Sequence, residues 1–364
     1  MTAPTRWLLM AGHVAASGRG GGIVRYTVEL AKALRRRDDV DLHLLVDPAA
    51  ADGLVDLVAG PDRLVRLPGL PGLAVSGYER ALLGRTLGDR FDVVQGTKHL
   101  VPRGVAARTA LTVHDMLLYD RPQDFGTAKR TLLRQPYAAS IRQADTLLCV
   151  SAATRERLVA SVPGTRPRSA VVPLATSPAL RSSEPVPVPA VDDRPFALVV
   201  GDTQPRKNLP TVVSAWRRVA AERPDAVLLQ VGPPPWGEQD YGPDFDALVA
   251  SGNLHQLQDV TDGVLRWAYE HASVVLTPSL AEGFGLPAAE AIDLGTPLVT
   301  STDAALVEVS GDRAVHLAPD DVAGWARVAL EHLAVPVGTR TPPAVTRSWD
   351  DVAAETVAAV LSGR

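Results

Sequence analysis

Cysteine is almost missing: Cys149 stands alone in 364 residues, which excludes an internal disulfide framework and fits a reducing compartment. It lies in the apolar run Thr146–Val150, where a buried strand residue is expected rather than a nucleophile. No apolar stretch approaches the roughly 18–20 residues of a membrane-spanning helix. The short run Arg6–Met10 breaks at Gly12-His13 and reads as a first β-strand, not a signal peptide. Positive charge is not in excess either. A net charge of −4 disfavours a nucleic-acid binder whose affinity rests on neutralising phosphates. A dinucleotide fingerprint is also lacking: Gly18-Arg19-Gly20-Gly21-Gly22-Ile23 puts Ile23 at the third glycine position of G-x-G-x-x-G, and a spacer separates the glycines from the first strand. A dehydrogenase is disfavoured on that ground. These absences leave a cytoplasmic enzyme or binding protein as the expectation.

What is present is length and alternation. A chain of 364 residues is natural for two domains, and with 46% hydrophobic residues each can bury a core. Strand-like runs alternate with helix-like ones, which predicts α/β domains with parallel sheets. The first half offers strands at Trp7–Ala11, Asp41–Val46, Asp92–Gln95, Ala110–His114 and Thr146–Val150, with helices at Ile23–Arg37 and Lys129–Gln143. The proline-rich stretch within 181–195 reads as a linker. A second alternation follows: strand Phe196–Gly201, helix Leu209–Arg223, and strands Ala226–Gly232, Val274–Thr277 and Pro297–Thr300. The expected organisation is a Rossmann-like domain at 1–180, a linker at 181–195, a second Rossmann-like domain at 196–345, and a closing helix at 349–364.

The most informative segment is Thr277-Pro-Ser-Leu-Ala-Glu282-Gly-Phe-Gly-Leu-Pro-Ala-Ala-Glu290. A buried strand ends at Thr277-Pro278, a glycine-broken loop follows, and Pro287 stands where a helix starts, a position that favours proline. Gly283-Phe284-Gly285-Leu286 lets backbone approach a ligand and aims amides, backed by a helix N-terminus, at an anion. Glu282 precedes this loop, and Glu290 is expected in the first turn of the helix. Two acids beside a positive helix end suit a ligand with an anionic part and hydroxyls, as a nucleotide sugar is. Acids eight apart are common, and by themselves they would be solvated caps; the glycines and the strand between and before them favour the functional reading.

This segment resembles the E-x7-E signature of retaining GT-B glycosyltransferases, in particular family 4. Gly201-Asp-Thr-Gln-Pro-Arg206-Lys207-Asn-Leu209 resembles that family's G-x(3–4)-R-K-N segment at the end of a strand. Lysine is scarce in this arginine-rich chain, so Lys207 beside Arg206 stands out. A departing nucleoside diphosphate accumulates negative charge, which arginine grips as a fork and lysine as a point charge. Gly21-Gly22-Ile-Val-Arg25-Tyr resembles the family's G-G-[IV]-x-R-Y loop, and Thr112-Val-His114-Asp115 its V-H-D. Ser151 reads as a helix N-cap, and Asp115 as a residue that orders its loop.

The resemblance implies a GT-B fold, two Rossmann-like domains facing a central cleft with the last helix crossing back to the first domain. It implies a first domain that binds the acceptor and a second that binds the donor. By it, Arg206, Lys207, Gly201 and the amides of Gly283–Leu286 hold the donor diphosphate, Glu290 the ribose and Glu282 the transferred sugar. Gly21 and Gly22 meet the donor phosphate or the acceptor, Arg25 the acceptor, and His114 the sugar or its attacker; His114, Glu282, Arg206 and Lys207 form the catalytic set. The implied reaction moves a hexose from a GDP-, UDP- or dTDP-linked donor to a glycan, lipid-linked or small-molecule hydroxyl, with retention and no cofactor. The run from Val113 to Pro122 leans toward mannosyl- or rhamnosyl-type members. No D-x-D stands at the carboxyl end of a strand, so no metal site is expected. Basic runs at Arg35–Arg37 and Thr127–Arg134 fit a contact with the inner face of a membrane, and equally well ordinary solvated helix faces. Two other classes compete. A nucleotide-sugar epimerase would need different acid and base residues, and an inactive binding module would be expected to have lost Lys207, Glu290 or His114.

Overall fold

The computed structural model describes residues 3–18, 20–70, 73–191, 193–233, 239, 241–338, 343–344 and 347–362. Arg19 of the glycine-rich loop, Asp192 of the expected linker, residues 339–342 and 345 at the end of the expected second domain, and residues 363–364 of the last helix lie outside them. So does the Lys129 side chain of the basic helix.

The chain divides into two compact units, residues 1–175 with 347–364, and residues 176–346. The apolar runs of unit 1 form β1 (Thr5–Met10), β2 (Val40–Val46), β3 (Leu64–Arg66), β4 (Val93–Gly96), β5 (Arg108–Val113), β6 (Thr146–Cys149) and β7 (Ser169–Val171), all parallel in the order β3-β2-β1-β4-β5-β6-β7. Leu8, Leu9, Leu44, Leu45, Val94, Leu111 and Leu147 are fully buried, as strands covered on both faces require. Helix α1 (Gly22–Arg35) turns Tyr26, Leu30, Ala33 and Leu34 inward at helical spacing, and α2 (Thr127–Gln143) follows later in this unit. Ser151 caps α3 (Ala152–Ser161) by accepting from the Thr154 amide at 2.9 Å.

Unit 2 contains β8 (Phe196–Val200), β9 (Val227–Gly232), β10 (Leu254–Gln258), β11 (Val274–Thr277), β12 (Leu298–Ser301) and β13 (Val315–Leu317), parallel in the order β10-β9-β8-β11-β12-β13. Around this sheet lie α4 (Pro178–Ser182), α5 (Leu209–Glu222), α6 (Asp262–His271), α7 (Leu286–Asp293) and α8 (Val322–Leu333). Trp216 of α5 and Trp325 of α8 are completely buried against one sheet face. In each sheet the chain reverses its direction of growth next to its first strand, between β1 and β4 and between β8 and β11. Open α/β sheets bind ligands outside the carboxyl ends of the strands at such a switch point.

Two expectations are corrected. The proline-rich stretch 181–195 is not a linker. Leu180, Val188 and Val191 sit in the core of unit 2 with Phe196 and Leu198, and Val186 N donates to Gly263 O at 3.1 Å. Proline removes backbone donors without preventing its apolar neighbours from packing, so composition alone misled. The chain therefore enters unit 2 after Ala175, and 176–180 belong there rather than to the first domain.

The last helix, α9 (Trp349–Ser362), belongs to unit 1, where it lies along α1 and buries Trp349, Val352, Val357 and Val360. Arg36 Nη2 meets Asp350 Oδ1 at 2.5 Å and Arg108 donates to Val360 O. The arginines of the run Arg35–Arg37 are thus engaged within the chain, Arg35 with Asp56 O, Arg36 with Asp350, and Arg37 with Asp39 at 2.7 Å. Among the described residues no helix is long and apolar enough to cross a membrane.

Candidate active site

At the switch point of unit 2 two loops converge. After β8, Gly201 takes φ +142°, a conformation that favours glycine, and leads into a short 3-10 turn at Pro205–Lys207. Asn208 follows in the left-handed conformation at φ 55°, and its amide nitrogen donates to Pro278 O at 3.1 Å and Pro319 O at 2.7 Å. Leu280 N donates back to Arg206 O at 2.8 Å. These bonds fasten the Arg-Lys turn onto the loop that leaves β11.

The side chains close the arrangement. Lys207 Nζ contacts Glu282 Oε1 at 2.6 Å, and Arg206 reaches Glu282 Oε2 at 3.5 Å and Asp202 Oδ2 at 3.3 Å. Ser279 Oγ donates to Glu282 Oε1 at 2.7 Å. Burial by itself would raise the Glu282 pKa, but the charges of Lys207 and Arg206, with the lysine and serine hydrogen bonds, outweigh it and hold the carboxyl at about 2. Glu282, expected beside a sugar, is here the counter-ion of the two cations. Asp202, Ser279 and Asn208 escaped sequence reasoning, although Asn208 stands inside the R-K-N segment.

Gly283, Phe284 and Gly285 form the loop before α7. Gly285 has φ +95°, and a Cβ there would lie 2.6 Å from Leu306 Cδ2, so both backbone and packing favour glycine. Leu286 and Pro287 open the helix. Glu290 lies in its second turn, not its first, and is 2% exposed. Its Oε2 accepts from the Tyr269 hydroxyl of α6 at 2.8 Å, so the structure separates it from the Glu282 cluster by partner as well as by position.

In unit 1 the predicted residues gather at the carboxyl ends of β1 and β5. His114 Nε2 lies 2.9 Å from Thr97 O. A carbonyl can only accept, so Nε2 carries the hydrogen. Burial lowers the His114 pKa, which leaves a neutral ring with its lone pair on Nδ1. Tyr26 packs edge-on against this ring with centroids 4.8 Å apart, and meets Trp349 of α9 at 5.9 Å. The tyrosine hydroxyl is shared with Thr112 and Gln95, and Gln95 accepts from Trp7 Nε1 at 3.1 Å. Nearby, burial, with the Lys98 charge, pushes His13 down to about 3. Thr27 donates to Ile23 O at 2.9 Å and has no second hydrogen, so at 3.3 Å it must accept from His13 Nε2. Asp115 orders its loop as expected, its carboxylate accepting from Leu117 N at 3.1 Å.

Gly21 is the N-cap of α1, and Gly22 its first residue. A Cβ on Gly21 would meet nothing within 4 Å among the described residues, and its φ of −66° is ordinary, so no close contact or strained backbone there requires glycine. Arg25 sits half-buried in the first turn of α1. Cys149 is buried, and burial raises its thiol to about 12, which fits a strand residue and not a nucleophile.

With this geometry in view, comparison with known proteins is specific. The profile of Glycosyltransferase Family 4 matches residues 20–180, and that of Glycosyl transferases group 1 matches residues 194–334. The MMP alpha-(1->4)-mannosyltransferase of Mycolicibacterium hassiacum is 31% identical over 304 residues, covering 77% of this chain and 72% of that one. The chain belongs to glycosyltransferase family 4. The O-antigen chain mannosyltransferase B of Escherichia coli shares 26% identity with this glycosyltransferase over 339 residues, 86% of this chain and 87% of its own. The structure of Anabaena HepE in complex with UDP and glucose superposes with a TM-score of 0.67 at 16% identity, covering 99% of this chain and 97% of that one, which shows the shared GT-B fold.

Proposed function

We propose that this glycosyltransferase moves a mannosyl residue from a nucleoside-diphosphate sugar to a hydroxyl of a glycan acceptor, with retention of anomeric configuration and without a metal ion. The observation that carries it is the convergence of Lys207, Arg206 and Glu282 on the carboxyl ends of β8 and β11. Two largely buried cations fastened to one loop are an anion site whose occupant, in the free enzyme, is a carboxylate of the protein itself. A donor diphosphate would displace Glu282 from the cations and free it to accept from hydroxyls of the transferred sugar.

The remaining roles follow from position. Gly201 gives the diphosphate room beside Lys207, and the amides of Gly283, Phe284, Gly285 and Leu286 at the start of α7 add N–H donors and a helix dipole. As the glycosidic bond breaks, charge builds on the leaving phosphate. Arg206 and Lys207 stabilise it in place of a metal, each contributing about 2–4 kcal/mol in a water-poor site. Glu290 accepts from the ribose hydroxyls. His114, neutral, offers its Nδ1 lone pair to a hydroxyl of the sugar or of its attacking partner. Gly21 and Gly22 leave backbone open to a ligand, and Arg25 contacts the acceptor. The sugar is chosen on the relatives, since the matched proteins of Escherichia coli and Mycolicibacterium hassiacum are both mannosyltransferases, and HepE was solved with UDP and glucose.

The test is a donor screen in EDTA with GDP-mannose, dTDP-rhamnose and UDP-glucose against a panel of mannoside acceptors, the product anomer being read by NMR. Transfer from GDP-mannose to an α-linked product is expected. A β-linked product from GDP-mannose, or activity that vanishes in EDTA and returns with magnesium or manganese, would overturn the mechanism; transfer only from another donor would overturn the sugar.

A further inference from the structure

Glu290 is an expensive residue for its place. It is 2% exposed on a helix whose neighbouring positions Ala288, Ala291 and Ile292 are part of the apolar core of unit 2. Burying a carboxylate there costs more than burying an alanine or leucine would, so packing does not call for it. A polar group of that core faces it. Tyr269 of α6, itself 0% exposed, directs its hydroxyl to Glu290 Oε2 at 2.8 Å, with a longer approach of 3.3 Å to Pro287 O. The other end of the tyrosine is anchored too: its carbonyl accepts from Thr296 Oγ1 at 2.7 Å, while Thr296 N donates to Ala291 O at 2.8 Å. The ring is thereby held between the two helices, and phenylalanine would fill the same volume. What the hydroxyl adds is a single hydrogen aimed at one oxygen of the carboxylate.

We propose that Tyr269 is a positioning residue that fixes the Glu290 carboxylate for the ribose hydroxyls of the nucleotide donor. The inference rests on the reading of Glu290 given above. A phenol whose ring cannot turn fixes the direction of one carboxylate oxygen and, through the planar group, the direction of the other. Without it the carboxylate would lose that constraint, and part of the donor's binding free energy would be used to restore its orientation.

Tyr269→Phe tests this with ligands that do or do not carry the ribose hydroxyls. Calorimetry compares GDP with 2′,3′-dideoxy-GDP, and UDP with its dideoxy counterpart, on wild type and variant. Wild type is expected to prefer the ribonucleotide, and Tyr269→Phe to cut that preference about tenfold, the equivalent of one hydrogen bond to a charged group, while leaving dideoxynucleotide affinity unchanged. Equal weakening of both ligands, or a preference that stays intact, would overturn the positioning role. A different result separates the underlying reading: if wild type shows no ribose preference, or Glu290→Gln does not reduce it, Glu290 does not hold the ribose and the inference falls with that assignment. Should Tyr269→Phe fold poorly, the comparison moves to Glu290→Gln with and without Tyr269→Phe, where the side chain facing the ring is uncharged. Equal ribonucleotide affinities are expected there, and a further loss caused by Tyr269→Phe would overturn the proposal.

Discussion

At the switch point of unit 2, charge is gathered and kept. Lys207 and Arg206 both pair with Glu282, Arg206 also pairs with Asp202, and the glutamate stays ionised down to about pH 2 despite its burial. At the matching edge of unit 1, charge is suppressed. Burial lowers His13 to about 3, His99 to about 4 and His114 in the same direction, while it lifts Glu79, on the helix Leu73–Ala81, to about 7. Two sheets of the same type thus carry opposite electrostatics. The difference lies in the balance of burial and counter-ions: at Glu282 two cations and two hydrogen bonds outweigh desolvation, whereas in unit 1 desolvation outweighs the single opposite charge, Asp115 for His99 and His114 and Lys98 for Glu79. A site of gathered cations suits a phosphate, and a site of neutral imidazoles suits hydroxyls.

The largest expected break in that comparison is at the cations. Lys207→Ala and Arg206→Ala should each lower kcat by two to three orders of magnitude, corresponding to about 2–4 kcal/mol of transition-state stabilisation, with the fold retained by circular dichroism. Steady-state rates within about threefold of wild type for both would remove the anion site from the mechanism.

The glycines come next, and they sharpen the contrast on stability. Gly285→Ala forces a left-handed backbone and a clash with Leu306, and should cost about 1–3 kcal/mol or more in thermal melts. Gly21→Ala meets no atom among the described residues, so its unfolding free energy should fall by no more than the roughly 1 kcal/mol expected of a helix N-cap, while ligand affinity falls. A larger loss in Gly21→Ala would mean the glycine serves the fold after all.

The smallest effects lie in the pH dependence of stability. Glu282 has a depressed folded pKa, so its stabilisation is present above about pH 4.5 and is lost as pH falls toward about 2. Glu282→Gln should flatten the stability curve in that window. His13 is also depressed but is neutral when folded. It takes up a proton on unfolding, so stability should decline from about pH 6.5 toward 3, and His13→Gln should remove that share. Denaturant titrations across both windows check the pair, and identical curves for variant and wild type would show that the local charges do not govern either site.

Much of this molecule was legible in its sequence, for reasons that also mark where reading stops. Strands such as Val274–Thr277 are unbroken apolar runs buried on both faces, and they were readable as such. β3, β7, β10 and β13 were not. They are short edge or near-edge strands of mixed character, and Val315, which opens β13, is 42% exposed. In the site, Arg206, Lys207 and Glu282 stood out by residue type, and the structure brings the three together. Their mutual pairing did not show, because it depends on β8 and β11 becoming neighbours across 75 residues of chain. Tyr269 was silent for the same reason, being an ordinary core aromatic until α6 and α7 pack.

One feature of the chain's path bears on biosynthesis. Residues 176–346 are inserted within unit 1, whose last helix carries Trp349 onto Tyr26 and so onto the ring of His114. During translation unit 2 has all its residues before unit 1 does. The first sheet must therefore wait, with the apolar flank of α1 uncovered, until some 170 later residues have been made. That interval is when a nascent chain is most open to chaperones and to misassembly, and a ribosome stalled after unit 2 would release a polypeptide whose second unit is finished and whose histidine lacks its support.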